Sequence, residues 1–375
     1  MPGPVPLVTI AIPASRDHAA LEVALRSAAA QDYPNLEILT LERSVDPDAA
    51  PSDLAEDSRI SVLQPNRPLS AVASRQFLLG AATGEFFMWL APGDWLDPDF
   101  VSACARLLNE RTDHVAVAGR QMFHDEAGEP QESPSFSVTA DQAQDRVEEF
   151  LSAVVDMGGY WLFRRSAIAD VPLREALGYE FGLFTEAAFK GKIAIQPATA
   201  SHREGNPNLE SFADVAVKLG VSAYQAEDPY LMAAAILFCD IVFLRPAYGR
   251  LAEGERLRLA SRAFTIIGRR WTILNALHFM SFASRIFPQE RIGERMRILR
   301  RRFATFLMTG EGDGYIGLPM VILVDMINVL CRIGLGKMPP AKDETDTLAR
   351  LSGAWEGAAT DDRRNRLLMA MALYV

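Results

Sequence analysis

Strand-like and helix-like runs alternate through the first part of this chain, and that alternation fixes the fold class before any single residue is weighed. Leu7 to Ile12 reads Leu-Val-Thr-Ile-Ala-Ile and ends at Pro13, the pattern of a buried strand. Apolar Leu21, Ala24, Leu25 and Ala28 then recur at helical spacing over His18 to Gln31, and Tyr33-Pro34-Asn35 stops the helix. Leu36 to Leu41 and Arg59 to Leu63 read as the next strands, Ser70 to Ala82 as a helix closed by Gly84, and Glu85 to Leu90 as a fourth strand. A helix over Pro98 to Asn109 and a strand over His114 to Ala118 continue the rhythm. Strands joined through helices need right-handed crossovers, so the sequence predicts an α/β fold with a Rossmann-like, mostly parallel sheet.

From about Asn206 the rhythm changes to long helical periodicity with few strand-like runs. Gly205, Asn206, Pro207 and Asn208 cluster within Glu204 to Glu210, where a boundary is expected. Residues 1–207 should form the α/β domain and 208–375 an all-helical C-terminal domain. Cys104, Cys239 and Cys331 have no metal-ligand spacing and suit small buried hydrophobes in a reducing compartment. Met1 to Pro6 has no basic region leading an apolar run, so no signal peptide is expected. The apolar stretch from Gly314 to Gly336 is broken by Pro319, Asp325, Asn328 and Arg332, which argues against a spanning helix.

Charge is distributed unevenly. The chain carries −10 overall, yet Ile241 to Gly310 holds fourteen arginines, no lysine and four acids. Two readings stand: a helical face docked on the acidic N-terminal half, or a surface meeting anionic lipid or an acidic acceptor. No nucleic-acid motif accompanies the charge, so no nucleic-acid partner is expected.

The fourth strand empties into Leu90-Ala91-Pro92-Gly93-Asp94-Trp95-Leu96-Asp97-Pro98-Asp99-Phe100, the position where a parallel sheet opens into a ligand crevice. Carboxylates in such a turn suit a hard divalent cation, and Asp94, Asp97 and Asp99 are the ones present. Asp97, followed by Pro98, suits a helix N-cap better than a ligand. His114 and the His124-Asp125-Glu126 run have no third partner at zinc spacing. Neither a Gly-rich phosphate loop nor a Gly-x-Ser-x-Gly turn occurs.

Several further pieces follow in order: Ile10-Ala11-Ile12-Pro13, Leu25-Arg26-Ser27, Gln31-Asp32-Tyr33-Pro34-Asn35-Leu36-Glu37-Ile38, Ser74-Arg75-Gln76, Ala82-Thr83-Gly84-Glu85 and Asp94-Trp95-Leu96-Asp97-Pro98. After them come Phe123 to Gly128, Phe163-Arg164-Arg165-Ser166, Gly178-Tyr179-Glu180 and Lys190-Gly191-Lys192-Ile193. Together they make residues 6 to 205 resemble a family 2 glycosyltransferase with the GT-A fold. The resemblance implies a nucleotide-sugar donor, commonly a UDP-sugar, with Mn²⁺ or Mg²⁺ bridging its phosphates and a carboxylate deprotonating the acceptor, with inversion at the sugar. By position, Pro13 and Ser15 would border the base and ribose, and Glu42 would stand where an Asp usually accepts from the base. Arg75 would face the nucleotide, while Arg164 and His202 (with Arg203 beside it) would lie near the diphosphate. Glu180 matches the catalytic base. Asp94 matches the last acid of the Asp-x-Asp motif, which is degenerate because Ala91 and Gly93 replace the others. With that motif depleted, His202 and Arg203 are the cations that would substitute for a metal.

The resulting expectation is a glycosyltransferase acting on a glycan, lipid or protein acceptor, cytoplasmic or peripheral on the inner membrane face. The rival is a non-catalytic GT-A protein that binds or scaffolds within a glycan-assembly complex.

Overall fold

The computed structural model describes residues 5–41 apart from Arg16, Leu54, 56–124, 130–153, 160–205, 211–220 and most of 233–267. The chain divides into two compact units. The first joins Met1–Glu175 with Leu183–Gly220, and the second joins Ala176–Gly182 with Val221–Val375. The expected boundary at Glu204 to Glu210 falls largely on residues outside those described.

The first unit follows the predicted rhythm closely. Its elements open with β1 (Val8–Ile12), α1 (His18–Ala29), β2 (Leu36–Leu41), β3 (Ile60–Leu63), α2 (Ala71–Ala81), β4 (Phe86–Trp89), β5 (Trp95–Leu96) and α3 (Phe100–Glu110). They continue with β6 (His114–His124), β7 (Pro130–Glu132), α4 (Ala143–Ala153), β8 (Trp161–Arg164), α5 (Arg165–Ile168), α6 (Tyr179–Lys190, of which Tyr179–Gly182 falls in the second unit), β9 (Lys192–Glu204) and α7 (Phe212–Leu219). Strand order is β3-β2-β1-β4-β8-β6-β9-β5, with β7 on β6. The β1, β2, β3 and β4 pairings are parallel, as is β6 with β9. β8 runs antiparallel to both β4 and β6, and β5 runs antiparallel to β9. The sheet is therefore more mixed than the sequence predicts, because β5, β7 and β8 are short and carry little alternation of their own.

Helix ends are set by local chemistry. The Asp17 carboxylate accepts from Ala20 N at 3.1 Å to start α1, and Ser70 Oγ accepts from Ala73 N at 3.1 Å to start α2. At α3 the expected cap is not Asp97. Gln31, buried at the end of α1, accepts from Val101 N at 3.0 Å and donates to Asp97 O at 2.9 Å. A side chain remote in sequence thus supplies the cap and frees the Asp97 carboxylate for another use.

The core packs Ile10, Ile38, Phe86 and Met88 of the sheet against Phe100, Val101, Cys104 and Leu108 of α3. Cys104 is fully buried, as expected, and burial pushes its thiol far up. Trp161 is also core, packed edge-on to Phe184 at 5.5 Å. At the opposite end of the sheet from the strand tips, Glu37 accepts from Thr9 Oγ1 (2.5 Å), Thr83 N (3.0 Å) and Thr83 Oγ1 (2.8 Å). Burial raises its carboxyl, but these hydrogen bonds outweigh it and hold the group below the ordinary value.

The second unit includes a π turn over Asp240–Leu244 and a 3-10 turn over Pro246–Arg250. Arg245 and Asp240 form a buried ion pair at 3.1 Å, and Arg256 donates to Val242 O at 3.2 Å, so these two members of the arginine-rich segment point inward. The rest of that segment beyond residue 267, and Trp271, lie outside the described residues, as does most of the expected helical domain. Among the described residues no helix is long and apolar enough to cross a membrane.

Candidate functional site

The carboxyl ends of β1 and β4 lie side by side, with Ala11 opposite Trp89 and Leu90 N donating to Ala11 O at 2.9 Å. The loop after β1 carries Pro13 and Ser15, both half-buried, and Ser15 Oγ accepts from Asp17 N at 3.0 Å. The turn after β4 is tied to that loop through Gly93 N, which donates to Ala20 O at 2.7 Å. Gly93 has φ +90°, a conformation that side-chain-bearing residues seldom adopt. The position that carries an acid in the resembling family is thus a backbone-constrained glycine here.

Asp94 follows this turn and is buried. The Tyr160 hydroxyl, itself buried, donates to Asp94 Oδ2 and accepts from Ala91 N at 3.3 Å. Arg203, on β9, places its Nε 3.6 Å from the same Oδ2. Burial raises the Asp94 carboxyl above the ordinary value, and the Tyr160 bond and the Arg203 charge only partly offset this. Tyr160 is raised far more, by burial first and by the neighbouring Asp94 second.

Beside this trio runs a second polar chain. Antiparallel pairing sets Trp95 of β5 opposite His202 of β9, and their rings stack at 5.3 Å with 3° between planes. His202 Nε2 lies 2.9 Å from Asp97 Oδ1, and its Nδ1 lies 3.0 Å from Nε2 of His124. One imidazole of that pair donates and the other accepts. Asp97 Oδ2 accepts from Ala200 N at 2.7 Å, and Asp99 accepts from Thr199 Oγ1 at 2.8 Å.

This donor set does not suit the Mn²⁺ or Mg²⁺ that the resemblance implies. Hard cations need several oxygen ligands. Asp94 is the one carboxylate left in the motif; its Oδ2 is engaged by Tyr160 and faces a guanidinium. Asp97 and Asp99 are committed to β9. Among the described residues no group of three or more His, Cys, Asp or Glu could hold a metal ion.

The remaining predicted residues are placed as follows. Arg75 sits on α2, and its carbonyl accepts from the Trp89 indole at 3.2 Å, next to the end of β4. Arg164 pairs in register with Phe86, the first residue of β4, so it stands at the other edge of the sheet from Asp94. There it donates to His114 O (2.8 Å), Leu108 O and Arg111 O (3.4 Å), closing the end of α3 rather than facing the strand tips. Glu180 lies in the first turn of α6, in the second unit. Glu42 lies outside the described residues. Tyr160 is the participant that sequence reasoning misses: nothing in Tyr160-Trp161-Leu162-Phe163 distinguishes it from a core aromatic.

Residues 9–171 match the family described as Glycosyl transferase family 2. EpsH of Bacillus subtilis (strain 168), assigned by name to the glycosyltransferases, is 29% identical over 182 residues, which are 46% of this chain and 52% of EpsH. The matched part thus spans about half the length of that relative. The crystal structure of S. aureus TarS 1-349 is similar with a TM-score of 0.52 at 14% identity, covering 93% of this chain and 90% of that one. TarS 1-349 in complex with UDP-GlcNAc gives a TM-score of 0.50 at 13% identity, with the same coverage. At such identity the likeness concerns the fold, which is GT-A.

Proposed function

From the premise that residues 9–171 form a glycosyl transferase family 2 domain, we propose that the protein is a nucleotide-sugar-dependent glycosyltransferase. The observation that carries this reading is the arrangement at the carboxyl ends of the strands. The tips of β1 and β4 stand together, and a buried carboxylate, Asp94, sits with a cation at the end of the turn after β4. Open α/β sheets bind ligands at those ends.

In this reading Pro13, Ser15 and Arg75 border the nucleoside, with Glu42 at the base. Asp94, Arg203 and His202 serve the diphosphate side. Arg164 has no part, being used on carbonyls at the end of α3 and the start of β6. The acceptor hydroxyl oxygen bonds to the anomeric carbon while that carbon's bond to the diphosphate oxygen breaks. The nucleoside diphosphate leaves with the electron pair, and the hydroxyl proton passes to Glu180 as general base. A UDP-sugar is the first donor to try, since the similar TarS fold is known with UDP-GlcNAc. The acceptor is a glycan, lipid or protein, and the arginine-rich stretch 241–310 is the candidate for contact with an anionic membrane face.

The test is calorimetric titration of the full chain with UDP, GDP and their hexose conjugates. At least one should bind with micromolar affinity, and the conjugate that binds should be hydrolysed or transferred slowly. Absence of binding to every nucleotide would leave a non-catalytic scaffold as the better account.

A further inference from the structure

Arg203 differs from Arg59, Arg146, Arg164 and Arg165 in what it does with its donors. Arg146 gives its guanidinium to the carbonyls of Ala188, Phe189, Ala140 and Asp141 at 2.7 to 3.1 Å. Arg164 is likewise spent on carbonyls around the end of α3, and Arg165 donates to Gly84 O at 2.7 Å. Arg59 pairs with Asp57 at 2.7 Å and donates to Ala29 O at 2.9 Å. These are structural arginines, saturated by backbone or acid.

Arg203 has Asp94 as its one ion-pair partner among the described residues, at 3.6 Å, and its side chain keeps 30% of its exposure. That distance is beyond a good N–H···O bond. A guanidinium carries five N–H donors in a planar fork, so most of its donor capacity is uncommitted. It is also fixed in place. β9 is paired on both sides at this level, with β6 through Phe123 opposite Arg203 and with β5 through Trp95 opposite His202. The stacked Trp95 and His202 rings and the His202–Asp97 bond brace the neighbouring residue. The result is a rigidly mounted, half-exposed cation with free donors, at the turn where a metal would otherwise neutralise phosphate.

We infer that Arg203, aimed by the Asp94–Tyr160 pair, supplies the positive charge that holds the donor diphosphate, and that donor binding needs no divalent metal. This rests on the transferase reading above. The chemistry is coherent: a guanidinium fork matches two phosphate oxygens and cannot be deprotonated near neutral pH. It also accounts for the replaced acids. A guanidinium in the metal's place needs one carboxylate to orient it, whereas additional acids at positions 91 and 93 would compete with phosphate for it. Asp94 and Tyr160 are positioning residues here, and Arg203 touches the ligand.

The experiment titrates UDP and the best-binding nucleotide-sugar into the full chain, once in EDTA and once in Mn²⁺, for the native protein, Arg203→Ala and Arg203→Lys. Thermal melts verify that each variant is folded. Expected are affinities that agree within about twofold between EDTA and Mn²⁺, a loss of about tenfold or more in Arg203→Ala, and a smaller loss in Arg203→Lys, which keeps the charge without the fork. Tyr160→Phe should weaken binding less than Arg203→Ala, since it removes the aim and not the charge. Binding that appears only with Mn²⁺ would overturn the inference and leave the transferase reading intact. So would unchanged affinity in a folded Arg203→Ala. Failure of every nucleotide to bind in both buffers would instead bring down the transferase reading, and this inference with it.

Discussion

Asp94 is a carboxylate that folding makes expensive to ionise. Burial raises it above its ordinary value of 3.8, and neither the Tyr160 hydroxyl nor Arg203 fully compensates. A group whose folded value is raised contributes stability that is present below the unfolded value and lost as pH rises through the folded one. Asp94→Asn, neutral at every pH, should therefore be at least as stable as the native protein at neutral pH. The stability difference in its favour should grow as pH rises from about 4 through the folded value and then level off, measured by urea melts across that range. A variant less stable than the native protein at pH 7 would mean that the Arg203 attraction exceeds the desolvation cost. If Asp94 aims a phosphate-binding cation, the same variant should lose nucleotide affinity while gaining stability, the mark of a residue kept for function. At this scale sequence reading picks out Asp94 from its place after a strand, and His202 and Arg203 from resemblance. Tyr160 escapes, because its hydroxyl acquires meaning only from a partner brought beside it by the sheet.

Elements carry their information in proportion to their length and periodicity. The strands β1 to β4 and the helices α1 to α3 are legible because each buries a face with a clear period, as Ala24, Leu25 and Ala28 do on α1. β5, a pair of residues whose strand character comes from its partner β9, is not legible. The N-cap of α3 is a parallel case. Asp97-Pro98 looks like a cap in sequence, yet Gln31 performs that task and Asp97 holds β9 through Ala200 and His202. The contact between α3 and the long β6–β9 pair is tight at Gly119. A Cβ there would stand 2.7 Å from Phe100 Cε2 and 2.7 Å from Thr199 O. Phe100 is fully buried and Thr199 O is backbone, so neither yields easily. Gly119→Ala should cost about 1–3 kcal/mol by overpacking, read as a lowered urea midpoint with an unchanged slope. A neutral result would mean that the strand register relaxes at the irregularity between Gly119 and Arg120.

Across the whole molecule, the proposed proton acceptor is Glu180, in the first turn of α6. If Glu180 is the base, Glu180→Gln should reduce turnover by about 10²-fold or more while leaving nucleotide affinity near native, because it removes a proton acceptor and no donor contact. Turnover within a few-fold of native would remove Glu180 from that role. What the sequence determined by itself was the class of the first unit and the place of Asp94 just past the end of β4. Both follow from local periodicity, and neither needs knowledge of distant contacts. What tertiary structure alone decided was the electrostatic state of that carboxylate. Tyr160 and Arg203 reach Asp94 from 66 and 109 positions along the chain. The charge and orientation of a buried carboxylate depend on which groups share its low-dielectric surroundings, and chain folding selects those groups without regard to their order in sequence.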